Sequence, residues 1–309
     1  AGYKYFLLAG AAAAALLLGL ALAFASSGAL DLSALAAGGL LAALAVALVF
    51  AGLAVKFSLV PFHAWAPDVF QGAPVGAAAF AGVATKVGVA VVLLRLDAAG
   101  MPEPLWSTAL AVAGSASILL GNLVALRQAS LTRMLGWSSV AHSGSIAVIL
   151  ASGAPIAPEA VLFYLLAYAP ALLAALAASA ILGRDPQRAD IAGLALGRPL
   201  VGAALAIGLV SLAGLPPGAG FFAKVYLFTA LAEAGAFVLL AIAALGSAVG
   251  FFYYFRFLSA AFVAAPAEAR DLPVPTPLDR AVLIATGLPA LVLGVLPGPF
   301  MAIARAGLP

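Results

Sequence analysis

Three lysines stand inside apolar sequence: Lys56 in VKFSLVPF, Lys86 in VATKVGVAVVLL and Lys224 in GFFAKVYLF. A cation at the centre of a membrane helix costs roughly 2.5–3.5 kcal/mol on insertion scales, so three cost on the order of 8–10 kcal/mol if uncompensated. The type of cation narrows what that cost supports. Arginine stays protonated in proteins, whereas the pKa of a desolvated lysine falls readily, so a buried lysine can exchange a proton near neutral pH. Every arginine lies at or near the end of an apolar segment, while three of the four lysines do not. This partition fits proton transfer better than static ion pairing. The plainer alternative is snorkelling, or pairing with a carboxylate for packing. No acid lies in the middle of an apolar segment, so a carboxylate partner would have to come from outside this sequence or from another subunit.

His142, in SSVAHSGSIAVIL, is the other candidate proton carrier, because an imidazole titrates near pH 6.5 when unperturbed. His63 could serve in the same way, and for either ring a hydrogen-bonded structural role is the competing reading. Tyr164 and Tyr168, one helical turn apart in FYLLAYAP, read as packing residues. Ser138, Ser139, Ser143 and Ser145 read as small residues that allow close helix contact. The run Phe251, Phe252, Tyr253, Tyr254, Phe255 reads as an aromatic cluster near an interface, not a cofactor site. Asp68 falls near a loop, and Glu159, after Pro158, reads as a first-turn acid.

These residues must be held by membrane helices. The 309-residue chain is 66% hydrophobic and 8% charged, with a mean hydropathy of +1.21. Soluble domains average about 25% charged residues. Alanine, leucine, glycine and valine dominate without strict alternation, which points to an all-α polytopic bundle rather than a barrel. The absence of cysteine excludes disulfides, thiolate metal sites and iron–sulfur ligation. A count of two histidines argues against a His-rich metal site, and no nucleic-acid patch is visible. The start, AGYKYFLLAG, lacks a methionine and a charged leader region and reads as a position inside a longer polypeptide.

A span needs about 20 apolar residues. Nine are expected, near 4–25, 35–60, 75–96, 105–127, 132–152, 158–182, 199–232, 236–263 and 279–304, in a single membrane domain covering 1–309. If they alternate sides, Lys4, Arg127, Arg133, Arg184, Arg188, Arg198, Arg256, Arg270 and Arg280 share one face, and Arg95 and Arg305 the other. Nine against two places the N-terminal end in the cytoplasm and the C-terminus on the opposite side. Two segments are interrupted: 52–74 by Pro61 and Pro67, and 199–232 by Pro216, Pro217 and Gly218. Broken helices at membrane depth are tolerated where they are buried in protein or line a cavity, and in transporters they mark ion sites.

Four stretches carry a family resemblance: KFSLVPFHAWAPDVFQGAPV followed by VATKVGVAVVLLRL, GNLVALRQASLTRMLGWSSVAHSG, and SLAGLPPGAGFFAKVYLF. In order and spacing they resemble the antiporter-like membrane subunits of respiratory complex I, a group related to Mrp antiporters. The opening KYFLL and the run FYYFRF are similar to the NuoN type. The resemblance implies fourteen helices with two inverted five-helix repeats, of which this chain would hold the sixth to the fourteenth. It implies that the central lysines are Lys56, Lys86 and Lys224, and that a glutamate paired with Lys56 precedes Ala1.

The implied activity is proton translocation coupled to NADH–quinone oxidoreduction in the bacterial inner (plasma) membrane. NADH, FMN, iron–sulfur clusters and quinone would be handled by other subunits, and this chain would bind no cofactor. Its partners would be other membrane-arm subunits and the lipid bilayer. A proton would pass from Lys56 through Lys86 toward Lys224, with His142 as an intermediate. The alternatives are a subunit of an Mrp-type cation/proton antiporter or of a membrane-bound hydrogenase, and a structural spacer that carries no ions. An independent solute carrier would need a polar pocket that the sequence does not suggest.

Overall fold

The computed structural model describes residues 1–36, 38–264 and 274–306. Arg270, one of the nine cations counted on one face, lies outside the described residues. The protein is an all-helical, multi-pass membrane bundle, and among the described residues there is no strand. In helix order these are α1 (Gly2–Ser27), α2 (Gly39–Phe57), α3 (Ala66–Gly72) and α4 (Val75–Ala98), then α5 (Leu105–Ala125), α6 (Leu131–Ala151) and α7 (Ala157–Leu182). The remainder are α8 (Pro199–Ala213), α9 (Gly220–Glu233), α10 (Phe237–Ala260), α11 (Pro277–Val295) and α12 (Pro297–Ala306). Helices are the expected solution, because a backbone in lipid must satisfy its own polar groups.

Among the described residues, eight of these helices are long and apolar enough to cross a membrane. The expected span at 199–232 is two helices, α8 and α9, separated by residues 214–219. The expected final span does not run unbroken to 304. It stops at Val295, because a residue preceding proline is pushed out of helical geometry and Pro297 follows Leu296. Before α8 the chain makes a 120° bend between the segment Arg188–Gly197 and Pro199–Ala213.

Helices α6 and α7 form the centre of the bundle and are the most deeply buried of the spans. α1 lies at the edge, with Tyr3, Phe6, Leu17 and Leu18 exposed. α4 contains a π-helical turn over Phe80–Ala84, in which the Thr85 N–H reaches back to the Phe80 carbonyl. One extra residue in a turn rotates the remainder of the helix by about 100°. That rotation precedes Lys86 by two residues and sets the face on which it projects.

Polar contacts gather helix ends at one side of the bundle. Lys4 Nζ donates to Asp68 at 2.6 Å, and Arg133 Nη1 donates to Asp68 and to Gln71, each at 2.9 Å. Asp185 accepts from Ser130 Oγ at 2.5 Å and from Gln71 Nε2 at 2.9 Å. Arg256 donates to the Gln128 carbonyl. Glu159 and Arg305 pair at the other side, 3.5 Å apart. Asp68, which reads from sequence as a loop-side acid, thus joins α1, α3 and α6.

Partial burial alone would raise the Asp185 carboxyl. The hydrogen bonds from Ser130, Gln71 and Thr132, with the charge of Arg133, outweigh it and hold the pKa below its usual value. A depressed folded-state pKa contributes stability above the unfolded value of about 3.9, and that contribution is lost as pH falls. Asp185→Ala is therefore expected to cost about 1–2 kcal/mol at pH 7. The difference in Tm from wild type should shrink below about pH 4. A difference that stays constant with pH would show that the carboxylate charge is not what holds this corner.

Candidate functional site

Both interrupted segments end a helix in the left-handed region and then recruit a side chain to cover the freed backbone. α2 stops at Ser58, whose φ is 57°. Past it, Trp65 Nε1 donates to the Val55 carbonyl at 2.6 Å, and Val60 N–H donates to Ser117 Oγ at 2.8 Å. α8 stops at Gly214, with φ 78°. There the Gly220 N–H donates to Ser211 Oγ at 3.1 Å, and Lys224 Nζ donates to the Ala213 carbonyl at 2.6 Å. A Cβ on Gly214 would meet Lys224 Cδ at 2.3 Å, so glycine is required there by φ and by the lysine lying across it. The last carbonyls of a helix attract a cation, and Lys224 takes that place.

Lys86 is the most deeply buried cation among the described residues, 1% exposed. Its Nζ donates to the Ser139 carbonyl at 2.5 Å and to the Ser143 hydroxyl. It lies over the rings of Phe57 and Tyr168, at 5.9 and 5.8 Å from their centroids. Among the described residues no carboxylate is paired with Lys86 or Lys224. Neutral dipoles hold each cation, joined at Lys86 by two ring faces.

His142, on α6, sits between them. Its Nδ1 is 2.8 Å from the Tyr164 hydroxyl and its Nε2 is 3.0 Å from the Tyr254 hydroxyl. Tyr254 is also bonded to the Ser138 hydroxyl. Tyr168 bonds Ser139 Oγ at 2.8 Å, and its ring lies 5.0 Å from the imidazole. Two small cavities adjoin His142, Tyr164 and Lys224, of about 20 and 10 Å³. One water needs roughly 10–15 Å³ with polar partners. The larger cavity is lined by Asn122, Ser145 and Ser247 as well, and it accommodates one water between His142 and Lys224.

The structure thus brings Lys86, His142 and Lys224 together and leaves Lys56 apart. Lys56, in the last turn of α2, is half-buried and makes no hydrogen bond among the described residues. His63 packs against Trp137 with ring centroids 5.3 Å apart, and its buried Nδ1 has no partner among the described residues.

Three readings from sequence are corrected. Tyr164 and Tyr168 are not packing residues alone, since both hydroxyls are bonded within the site. Ser138 and Ser143 do more than permit close contact, because they hold Tyr254 and Lys86. The aromatic run on α10 splits in two: Phe251, Phe252 and Phe255 face outward, whereas Tyr253 and Tyr254 are buried. The signal was available in the spacing, since Gly246, Gly250, Tyr253, Tyr254 and Phe257 follow a 3.6-residue period on one face.

Known proteins share this arrangement of chain. The family described as NADH:quinone oxidoreductase/Mrp antiporter, TM, matches residues 1–250. NADH-quinone oxidoreductase subunit N of Cereibacter sphaeroides is 52% identical over 309 residues, covering 100% of this chain and 68% of that protein. The subunit N of Rhodopseudomonas palustris is 57% identical over 263 residues, covering 85% of this chain and 58% of that one. The chain therefore spans between about half and two thirds of the length of these relatives. Respiratory complex I from Thermus thermophilus contains a chain that superposes with a TM-score of 0.84 at 38% identity, over 97% of this chain and 67% of that one. The Mrp complex of Dietzia superposes with a TM-score of 0.84 at 23% identity, over 97% of this chain and 66% of that one, a likeness of fold alone. Apolar helices with interruptions, a lysine–histidine–lysine line inside them and a family match across most of the sequence agree: the chain belongs to the NADH:quinone oxidoreductase/Mrp antiporter transmembrane family.

Proposed function

We propose that the chain is part of an N-type membrane-arm subunit of a bacterial NADH–quinone oxidoreductase and moves protons along Lys56, Lys86, His142 and Lys224. The observation that carries the reading is the line Lys86–His142–Lys224, in which two cations without carboxylate partners among the described residues flank an imidazole. Lys86 takes a proton and passes it by way of the hydroxyls around Ser139, Ser143 and Tyr168. His142 accepts on one ring nitrogen and releases from the other. Lys224 receives the proton across the small cavity. The direct hydrogen bonds break off twice, between the Lys86 cluster and His142 and again between His142 and Lys224, so transfer requires water or side-chain movement at those gaps.

Lys56 stands upstream of Lys86 on this path. Redox chemistry with NADH, FMN, iron–sulfur clusters and quinone belongs to other subunits, and this chain binds no cofactor. The broken helices at 52–74 and 199–232 lie within the single membrane domain, each held by side-chain hydrogen bonds to freed backbone groups. The arginine-rich end, which includes the N-terminal end of α1, faces the cytoplasm under the positive-inside rule. The identities of 52% and 57% to subunit N proteins favour this assignment over an Mrp-type antiporter.

The test is NADH-driven proton uptake into inverted membrane vesicles, with Lys56→Met in the full-length subunit and assembly of the complex verified. Uptake and coupled quinone reduction should both fall by at least about tenfold. Wild-type values for both would remove Lys56 from the path and favour a non-pumping spacer.

A further inference from the structure

We infer that Tyr254, with Ser138, is a positioning residue that lets His142 change tautomer with both ring nitrogens paired; this rests on the proton path proposed above. The imidazole is held at both nitrogens by phenol hydroxyls, Tyr164 at Nδ1 (2.8 Å) and Tyr254 at Nε2 (3.0 Å). Both tyrosines are buried, at 3% and 2% exposure. A ring flip would break both bonds at once. The hydroxyl hydrogens must therefore adjust to the ring.

The Tyr254 hydroxyl has a second partner suited to that task, the Ser138 hydroxyl one turn before His142 on α6. When Nε2 is bare, Tyr254 O–H donates to it and Nδ1–H donates to Tyr164. When Nε2 carries the proton, it donates to the Tyr254 oxygen, and the Tyr254 hydrogen turns to Ser138 Oγ. Tyr164 O–H then donates to Nδ1. In both tautomers the two ring nitrogens and the Tyr254 hydroxyl are bonded, so the imidazole itself carries no penalty of about 1–3 kcal/mol for an unsatisfied buried group. Proton number is conserved: one proton binds the bare nitrogen, one leaves the other, and no covalent bond of the phenol is made or broken.

Neighbouring contacts hold Tyr254 in this place. Tyr253 packs on it with ring centroids 4.4 Å apart and donates to Asn122 Oδ1 at 2.9 Å, which fixes α10 against α5. Around the imidazole the charged and titratable groups are Lys86 from α4, Tyr164 and Tyr168 from α7, Lys224 from α9, and Tyr253 and Tyr254 from α10.

The experiment uses the assembled complex in inverted vesicles, with NADH-driven proton uptake measured across pH for wild type, Tyr254→Phe and Ser138→Ala. Tyr254→Phe keeps the ring and removes only the hydroxyl. Uptake should fall about two- to tenfold, the range one neutral hydrogen bond supports, and the pH profile should be displaced. Ser138→Ala should give a smaller loss with a displacement in the same sense, and it carries the test if the tyrosine variant does not assemble. Wild-type uptake, or a loss with an unmoved pH profile in both variants, overturns the inference. Lys86→Met measured alongside separates the two levels: its loss of uptake with normal Tyr254→Phe and Ser138→Ala leaves the proton path standing and removes only the tautomer role.

Discussion

Lys86→Met in the full-length subunit abolishes coupled proton uptake, by about 100-fold or more, yet leaves the protein as stable as wild type or more stable. The first half rests on position. Lys86 is sealed inside the bundle, 1% exposed, and a positioned proton-transfer group typically contributes roughly 10²–10⁴-fold to a rate. The second half rests on desolvation. A buried ionisable group replaced by an apolar one of similar shape is often neutral or stabilising. Methionine is unbranched and adaptable enough to lie between the rings of Phe57 and Tyr168. The partners left behind are not orphaned, since Ser143 Oγ still donates to the Ser139 carbonyl at 3.0 Å. Proton uptake and the Tm of the assembled complex are the two readouts. A fall in Tm of several degrees would make Lys86 a structural post, and retained uptake would remove it from the path.

Gly220→Ala has the opposite signature, with loss of the fold before loss of any single chemical step. A Cβ on Gly220 would lie 1.8 Å from the Ser211 carbonyl oxygen and 2.8 Å from its carbon. Both are backbone atoms of α8, so no rotamer change relieves the clash. Overpacking typically costs 1–3 kcal/mol, and a rigid backbone contact puts this site at about 3 kcal/mol or above. Lys224 lies one turn into the helix that Gly220 begins, and it would be carried away from the Ala213 carbonyl. Gly10→Ala is the matched control: nothing lies within 4 Å of its Cβ position, and alanine is the better helix former. Expression of intact complex and its Tm should collapse in the first and hold or rise slightly in the second. Equal behaviour of the two would mean that the close approach at Gly220 does not constrain the fold.

Much of this was legible in the residues. Apolar runs of the right length marked the eight long spans among the described residues, whereas the expected stretches at 199–232 and 279–304 are each divided in two. Lys86 and Lys224 drew attention because a cation in an apolar run is costly. The hydroxyl framework was not legible in the same way. Tyr254 sits beside Phe252 and Phe255 in sequence, and only the pairing of α10 with α6 reveals that its hydroxyl reaches His142. The π-helical turn before Lys86 leaves no mark in composition, because FAGVA differs little from its flanks. Lys56 illustrates the reverse case. Its sequence context matches that of the other lysines, but its side chain joins none of their hydrogen bonds, because proximity depends on which face of α2 meets which neighbour.

The ammonium of Lys224 clasps the broken end of α8, and on the proposed path the same group would carry the proton. A hydrogen bond from a charged donor is roughly twice as strong as one from a neutral donor. Losing a proton therefore loosens the joint between α8 and α9, and gaining one tightens it. The corresponding joint after α2 is closed by the Trp65 indole, which cannot titrate. On the proposed path the two interruptions are mechanically unlike for that reason: one would be a fixed elbow, and the other an electromechanical latch whose stiffness follows the charge of Lys224.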